Sequence, residues 1–515
     1  MTASTYSITG RSPSATACIR LALCAVLFAI SVTSKGKAGA DELPDTQRST
    51  DPRPNIVLIV ADDMGYADLK CFGGQRIQTP VMDRLAREGR KFTDFYVTQA
   101  VCSASRASLM TGCYANRISL AGALNHTSQE GIHPNEELLP ELLKEQGYST
   151  AILGKWHLGT RPDFHPQKHG FDQFWGIPYS NDNSRFHPVL KDLPPLPLYD
   201  GEQVAELDPD QAQFTPRITE RAIQFIMENR RQPFFLYVPH IMPHVPLFGT
   251  RFRGQSLRGL YGDVIMELDW SLGEILKALK SAGVSNNTLV IFMSDNGPFL
   301  SYGDHAGSAG DLREGKLTTF EGGIRVPCIM RWPGHIPSGT VCSEPACSID
   351  LLPTLVHLAE GRLPERKIDG RDIRDLMTDQ PGAQSPHEAL YFYAGGELQA
   401  IRSGKWKLHF EHDYLTVEGV PGRDGKPANS ENLRPDSIEQ SGIRGIASRH
   451  GYGVRHMPQS LYDLSADRSE SVNVADQHPD VVARLTALAE TIRSELGDDL
   501  VGRSGSEVRP AGRAD

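Results

Sequence analysis

The sequence has few cysteines, no excess of positive charge, and no long apolar run beyond its first few dozen residues. Eight cysteines in 515 residues make no disulfide framework, so the fold has to rest on its own apolar core. Cys342 and Cys347 form a candidate bridge. A net charge of −10 excludes global attraction to nucleic acid or anionic membranes. Any anion site must then be built locally from Lys, Arg and His. Beyond residue 40 no stretch approaches the roughly 20 apolar residues that a bilayer core requires, so no membrane span is expected in the mature protein. The composition is that of a globular chain, neither disordered nor fibrous.

What is present begins with a leader. Arg11 and Arg20 precede an apolar run at 21–32, and Ala38-Gly39-Ala40 offers a small-residue cleavage site. Residues 1–40 are expected to be a secretory signal peptide, with export to a periplasm, a lumen or the outside. A transmembrane anchor is the weaker alternative because the run is short. Residues 41–54 are a polar linker. A continuous β-branched run at 55–60 is expected to be a strand buried on both faces. Helices are expected at 79–87, with Thr79 as N-cap, and at 138–146, 216–229 and 262–282. Further strands are expected at 149–153, 234–238 and 288–293. This alternation predicts an α/β fold over 55–335, with a mostly parallel sheet between helices. Residues 336–501 change texture. A helix at 348–360, strands at 389–393, 398–402 and 406–410, and a helix at 481–496 predict a smaller C-terminal α+β domain. Residues 416–455 are expected to be a polar loop and 502–515 a disordered tail.

The polar clusters share one position, just after the strands. Asp62-Asp63, Lys155-Trp156-His157, His240 to His244, and Asp295-Asn296 each follow an apolar run. In open parallel sheets that edge binds ligands. Each cluster alone has an ordinary explanation. Adjacent acids are common in turns, and a lysine such as Lys316 in a glycine loop is commonly a surface residue. Together, Asp62, Asp63, Asp295 and Asn296 are oxygen donors with no soft ligand among them, which suits Ca²⁺ before Mg²⁺ and argues against zinc. His244 sits between Pro243 and Pro246, in a loop that the prolines stiffen. His240 is its competitor.

Residues 101–112 read Val-Cys-Ser-Ala-Ser-Arg-Ala-Ser-Leu-Met-Thr-Gly. Cys102 precedes an apolar helical turn, and Arg106 lies on the same helix face. This stretch resembles the sulfatase maturation motif, with Ala104 where the commonest form has proline. The segments 154–159, 242–246, 315–323 and 176–182 are similar to further motifs of that family, the last to the arylsulfatase A type. The resemblance implies an alkaline-phosphatase-like fold and hydrolysis of aryl or carbohydrate sulfate esters through a covalent sulfo-enzyme. It implies that a formylglycine-generating enzyme converts Cys102 to formylglycine (3-oxoalanine), whose hydrate is the nucleophile. It implies Ca²⁺ held by Asp62, Asp63, Asp295, Asn296 and residue 102. It assigns Arg106, Lys155 and Lys316 to the sulfuryl charge and Ser180 to sulfate contact. Asp295 takes the proton of the attacking hydroxyl, His244 protonates the leaving alcohol, and His157 deprotonates the second hydroxyl. The substrate is then a sulfated small molecule or glycan, read by loops at 188–216 and 416–455. A phosphoesterase or phosphonate hydrolase of the same superfamily, and a non-catalytic secreted carbohydrate-binding relative, are the alternatives.

Overall fold

The computed structural model describes residues 52–187, 190, 192–249, 251–418 and 450–514, all within one compact unit. The expected leader and most of the linker lie outside the described residues. A ten-stranded sheet organises the chain. Its strands are β1 (Asn55–Ala61), β2 (Arg90–Phe92), β3 (Ser149–Lys155), β4 (Gln173–Ile177), β5 (Pro197–Asp200), β6 (Gln203–Leu207), β7 (Phe234–Pro239), β8 (Thr288–Ser294), β9 (Cys328–Arg331) and β10 (Thr340–Cys342). In space they run β10-β2-β9-β8-β1-β7-β3-β4-β5-β6. The central five, from β8 to β4, are mutually parallel. Antiparallel pairs flank them on both sides.

β1 sets the frame because all of its residues are buried. Side chains alternate across a strand, so Ile56, Leu58 and Val60 face one layer and Val57 and Ile59 the other. The first layer packs Leu109 and Met110 of α2 (Cys102–Thr111), Leu139 and Leu142 of α3 (Leu139–Glu145), and Leu352 and Leu355 of a helix at Leu351–Leu358. The second packs Met82 and Leu85 of α1 (Pro80–Glu88), Phe225 of α4 (Phe214–Asn229), and Leu268 and Leu272 of α5 (Gly259–Ser281). A sheet so covered needs apolar strands throughout. Thr79 stands at the N-cap of α1, but its side chain makes no capping bond. Asp269 of α5 takes that place, accepting from Val81 N at 3.0 Å and Met82 N at 2.8 Å.

The C-terminal part is a four-stranded antiparallel sheet of Leu390–Ala394, Glu397–Ser403, Trp406–His409 and Ser460–Asp463, with a helix at Pro479–Leu496. Three expectations are corrected here. Part of the expected loop at 416–455 is strand, since His412–Thr416 pairs with Gly453–Met457; residues 419–449 lie outside the described ones. The expected loop at 188–216 contains the β5–β6 hairpin. The tail is ordered up to residue 514. Gly512–Arg513 pairs with Glu130–Gly131, and the Arg509 guanidinium grips Glu136 at 2.7 Å. Cys342 and Cys347 are both free thiols. Among the described residues no helix is long and apolar enough to cross a membrane.

The two sheets meet over buried charge. Lys407 Nζ lies 3.0 Å from Glu321 and 2.8 Å from Glu470, and all three side chains are fully buried. Glu470 also accepts from the Glu321 N–H at 2.7 Å, and its carbonyl accepts from Arg313 at 3.0 Å. The C-terminal part thereby fixes the segment that carries Lys316. Removing one member of such a group leaves uncompensated buried charge. Lys407→Met is expected to lower the unfolding free energy by about 3–5 kcal/mol; an unchanged urea midpoint would contradict this role.

Candidate active site

The C-terminal ends of the parallel strands deliver polar residues to one edge, as the strand order requires. β1 ends at Asp62-Asp63, β3 at Lys155 and His157, β7 leads to His244, and β8 ends at Asp295-Asn296. Cys102 is the first residue of α2 and enters from the sheet face. Asp63 (φ 66°) and His157 (φ 64°) both hold left-handed backbone. That conformation costs non-glycine residues about 1–3 kcal/mol and clusters at functional sites.

The cysteine lies inside a charged cage. Its Sγ is 3.3 Å from Asp62 Oδ1 and 3.2 Å from Lys316 Nζ. Lys155 Nζ donates to Asp62 Oδ2 at 2.6 Å and reaches the Ser180 hydroxyl at 3.2 Å. Lys316 Nζ donates to both Asp63 oxygens, at 2.7 and 2.8 Å. Ser180 Oγ is 3.2 Å from His244 Nε2, which stands 3.6 Å from Asp63 Oδ2. Arg106 braces the acids and lies 3.4 Å from Asp62. Its Nε and Nη2 donate to Asp295 Oδ2 at 3.0 and 2.8 Å, and Nη1 to the Lys155 carbonyl at 3.0 Å.

These partners set the protonation states. Burial works against the charge on Asp62, but Lys155 and then Arg106 hold its carboxyl well below the usual range. Burial, then the Asp62 carboxylate, lifts Asp295 to about 7. Burial and Asp62 also push the Cys102 thiol well up, so unmodified Cys102 is a neutral thiol and a poor nucleophile. Burial keeps His157 neutral, with Lys155 acting in the same sense. His157 Nε2 lies 2.7 Å from the Leu124 carbonyl. Donation there leaves Nδ1 as the acceptor, and that buried nitrogen has no partner. His240 stands apart, with Nε2 3.4 Å from Ser271 of α5.

Asp62, Asp63, Cys102 and His244 each offer a donor atom within 4.8 Å of the others, a group that can hold a metal ion. Asp295, expected as a ligand, borders that group: Arg106 donates to its Oδ2 at 2.8 Å and the Asp63 N–H to its Oδ1 at 3.1 Å. Asn296 fits a cation. Its Nδ2 donates to Asp63 Oδ1 at 2.7 Å, while its buried Oδ1 has no partner. Two carboxylates beside an orphaned amide oxygen suit a hard ion. Every expected site residue except His157 is therefore joined to the others by hydrogen bonds or ion pairs; Lys155 and Arg106 act on His157 through their charge. Sequence reasoning missed Leu124, which acts through a carbonyl, and Asp182, two residues beyond Ser180.

The sulfatase family profile matches residues 54–361, and the profile for the C-terminal region of aryl-sulfatase matches 385–513. Arylsulfatase A of Bos taurus is 39% identical over 456 residues, covering 83% of this chain and 84% of its own. N-acetylgalactosamine-6-sulfatase of Mus musculus is 43% identical over 379 residues, covering 69% of this chain and 72% of its own. Among solved structures, the PsFucS1 sulfatase from Pseudoalteromonas sp. superposes with a TM-score of 0.73 at 25% identity, covering 85% of this chain and 89% of that one. Ps i-CgsB in complex with k-i-k-neocarrahexaose superposes with a TM-score of 0.67 at 28% identity, covering 85% and 92%. The chain belongs to the sulfatase family and is a hydrolase of sulfate esters.

Proposed function

We propose that the protein is an exported, calcium-dependent sulfatase whose residue 102 is matured to formylglycine by a formylglycine-generating enzyme. The observation that carries this reading is the position of Cys102, which touches Asp62 and Lys316 at 3.3 and 3.2 Å inside the pocket. Hydrated formylglycine supplies two hydroxyls on one carbon, one to attack sulfur and one to expel the sulfate afterwards. Asp62, Asp63, Asp295 and Asn296, with residue 102, would hold the calcium, which would supply a Lewis acid for the diol and a sulfate oxygen.

The chain's own groups do the rest. Lys155, Lys316 and Arg106 offset the charge that spreads over the sulfuryl oxygens. Ser180, within reach of both Lys155 and His244, contacts the sulfate. Asp295 takes the proton of the attacking hydroxyl. His244 gives a proton to the leaving alcohol. The neutral His157, with its free Nδ1, accepts the proton of the second hydroxyl. Aryl and carbohydrate sulfates are both within this reading, in keeping with the names of the relatives.

Three measurements test it. The tryptic peptide spanning Cys102, taken from a host with the maturation system, is expected to be lighter by the difference between CH₂SH and CHO and to react with hydrazides. Full activity with an intact thiol in every molecule rules the mechanism out. Metal analysis is expected to find one calcium per chain, lost together with activity in Asp63→Asn; stoichiometric zinc contradicts the oxygen-donor argument. His244→Ala is expected to cost about 10²–10⁴-fold on a sugar sulfate and much less on nitrophenyl sulfate, whose alcohol leaves without a proton. His157→Ala is expected to give a burst of alcohol equal to the enzyme, whichever alcohol leaves. His240→Ala serves as the control, and leaving-group dependence there instead would reverse the assignment.

A further inference from the structure

The turn after β4 carries a carboxylate that the proposed reaction does not use. The Asn183 N–H donates to the Ser180 carbonyl at 3.0 Å, closing a tight turn. Ser180, the first residue of that turn, reaches His244 Nε2 at 3.2 Å, and Asp182 stands two residues further on in the same turn. Asp182 Oδ1 accepts from Asn183 Nδ2 at 2.9 Å, and Asn183 Oδ1 in turn lies 3.0 Å from His126 Nδ1. Asp182 Oδ2 lies 3.9 Å from His187 Nε2, too far for a hydrogen bond. The side chain is 14% exposed, so it is desolvated yet open on one side. Burial works against its charge, but His244 and then His187 hold its carboxyl well below the usual range. It is thus an ionised acceptor in the turn whose Ser180 contacts the leaving-group histidine.

We propose that Asp182 binds a hydroxyl of the alcohol half of the substrate, and that the substrate is a sulfated carbohydrate with a free hydroxyl beside the esterified carbon. This rests on the sulfatase reading above, with His244 on the leaving-group side. The argument is one of donors and acceptors. An ionised carboxylate only accepts hydrogen bonds. A sulfate monoester at neutral pH has no proton to donate, and its negative charge is repelled. Asp182 therefore serves the other half of the molecule. An aryl ring or a sterol placed there strips water from Asp182 and returns no donor, which is costly for a buried charge. A sugar hydroxyl returns the hydrogen bond. A site built around such a bond rejects analogues that lack it much more strongly than an apolar pocket rejects a misfit.

The test uses the matured, full-length enzyme on one monosaccharide sulfate and on its deoxy analogues, each lacking one hydroxyl beside the sulfated carbon. Nitrophenyl sulfate is the reference substrate. The wild type is expected to disfavour one deoxy analogue by about 10²-fold or more in kcat/KM. In Asp182→Ala that ratio is expected to collapse to within about threefold, since no acceptor is left to be unsatisfied. The readout compares two sugars on one enzyme, so a smaller active fraction cancels. Asp182→Asn, which keeps the shape and one acceptor, is expected to retain an intermediate ratio and covers the case in which the alanine variant folds poorly. Discrimination that survives in both variants overturns the proposal, as does a wild type indifferent to every hydroxyl. A wild type that cleaves nitrophenyl sulfate but none of the sugar sulfates overturns it while leaving the sulfatase reading intact. Failure on every sulfate removes that reading first.

Discussion

Mutual neutralisation of buried charge is the constraint on which the site depends. Asp62, Asp63 and Asp295 face Arg106, Lys155 and Lys316, and all six residues are buried. Any one alone would carry a desolvation penalty of several kcal/mol, which its partners offset only with good geometry. The bidentate grip of Lys316 on Asp63 and the two bonds from Arg106 to Asp295 supply it. The strained backbone at Asp63 is tolerable because the surrounding bonds over-determine it. No two of these cations come from one element, so the pocket forms only once the sheet, α2 and the glycine-rich segment at 315–323 are in place together.

The C-terminal sheet belongs to the same system. It contributes no residue to the cysteine's cage, yet Glu470 receives the Glu321 N–H and its carbonyl holds Arg313. Those contacts bracket Lys316 in the chain. The lysine meets Asp63 because the distal sheet fixes both ends of its loop.

How far the sequence could be read follows from where each signal resides. Strands such as β1 and β8 were legible because an unbroken apolar run buried on both faces needs no knowledge of its neighbours. β2, β9 and β10 were not, since runs of three or four residues become strands only through pairing. The tail read as disorder because its order comes from ion pairs such as Arg509 with Glu136, hundreds of positions apart in sequence. In the site, Cys102 and Arg106 were legible as a linear motif, and the acids through their place after strands. Arg106 was legible on the helix face of the cysteine, but its two bonds to Asp295 are a contact only the fold creates. Asp182 sits in an Asn- and Ser-rich stretch where aspartate is ordinary turn chemistry. Leu124 acts through its peptide oxygen, which no side-chain pattern reports. His240 and His244 are nearly equivalent in sequence, and only their surroundings, α5 for one and the lysine-acid cage for the other, separate them.

The depth of Cys102 carries a consequence in time. The residue is 2% exposed, with the Asp62, Asp63 and Lys316 side chains around its sulfur. A second protein cannot insert an active site there without dismantling the pocket. The proposed conversion of Cys102 by another enzyme therefore belongs to the chain before it folds. The architecture adds to that interval: Gly512–Arg513 pairs with Glu130–Gly131, so this contact of the N-terminal half waits for a segment far along the chain.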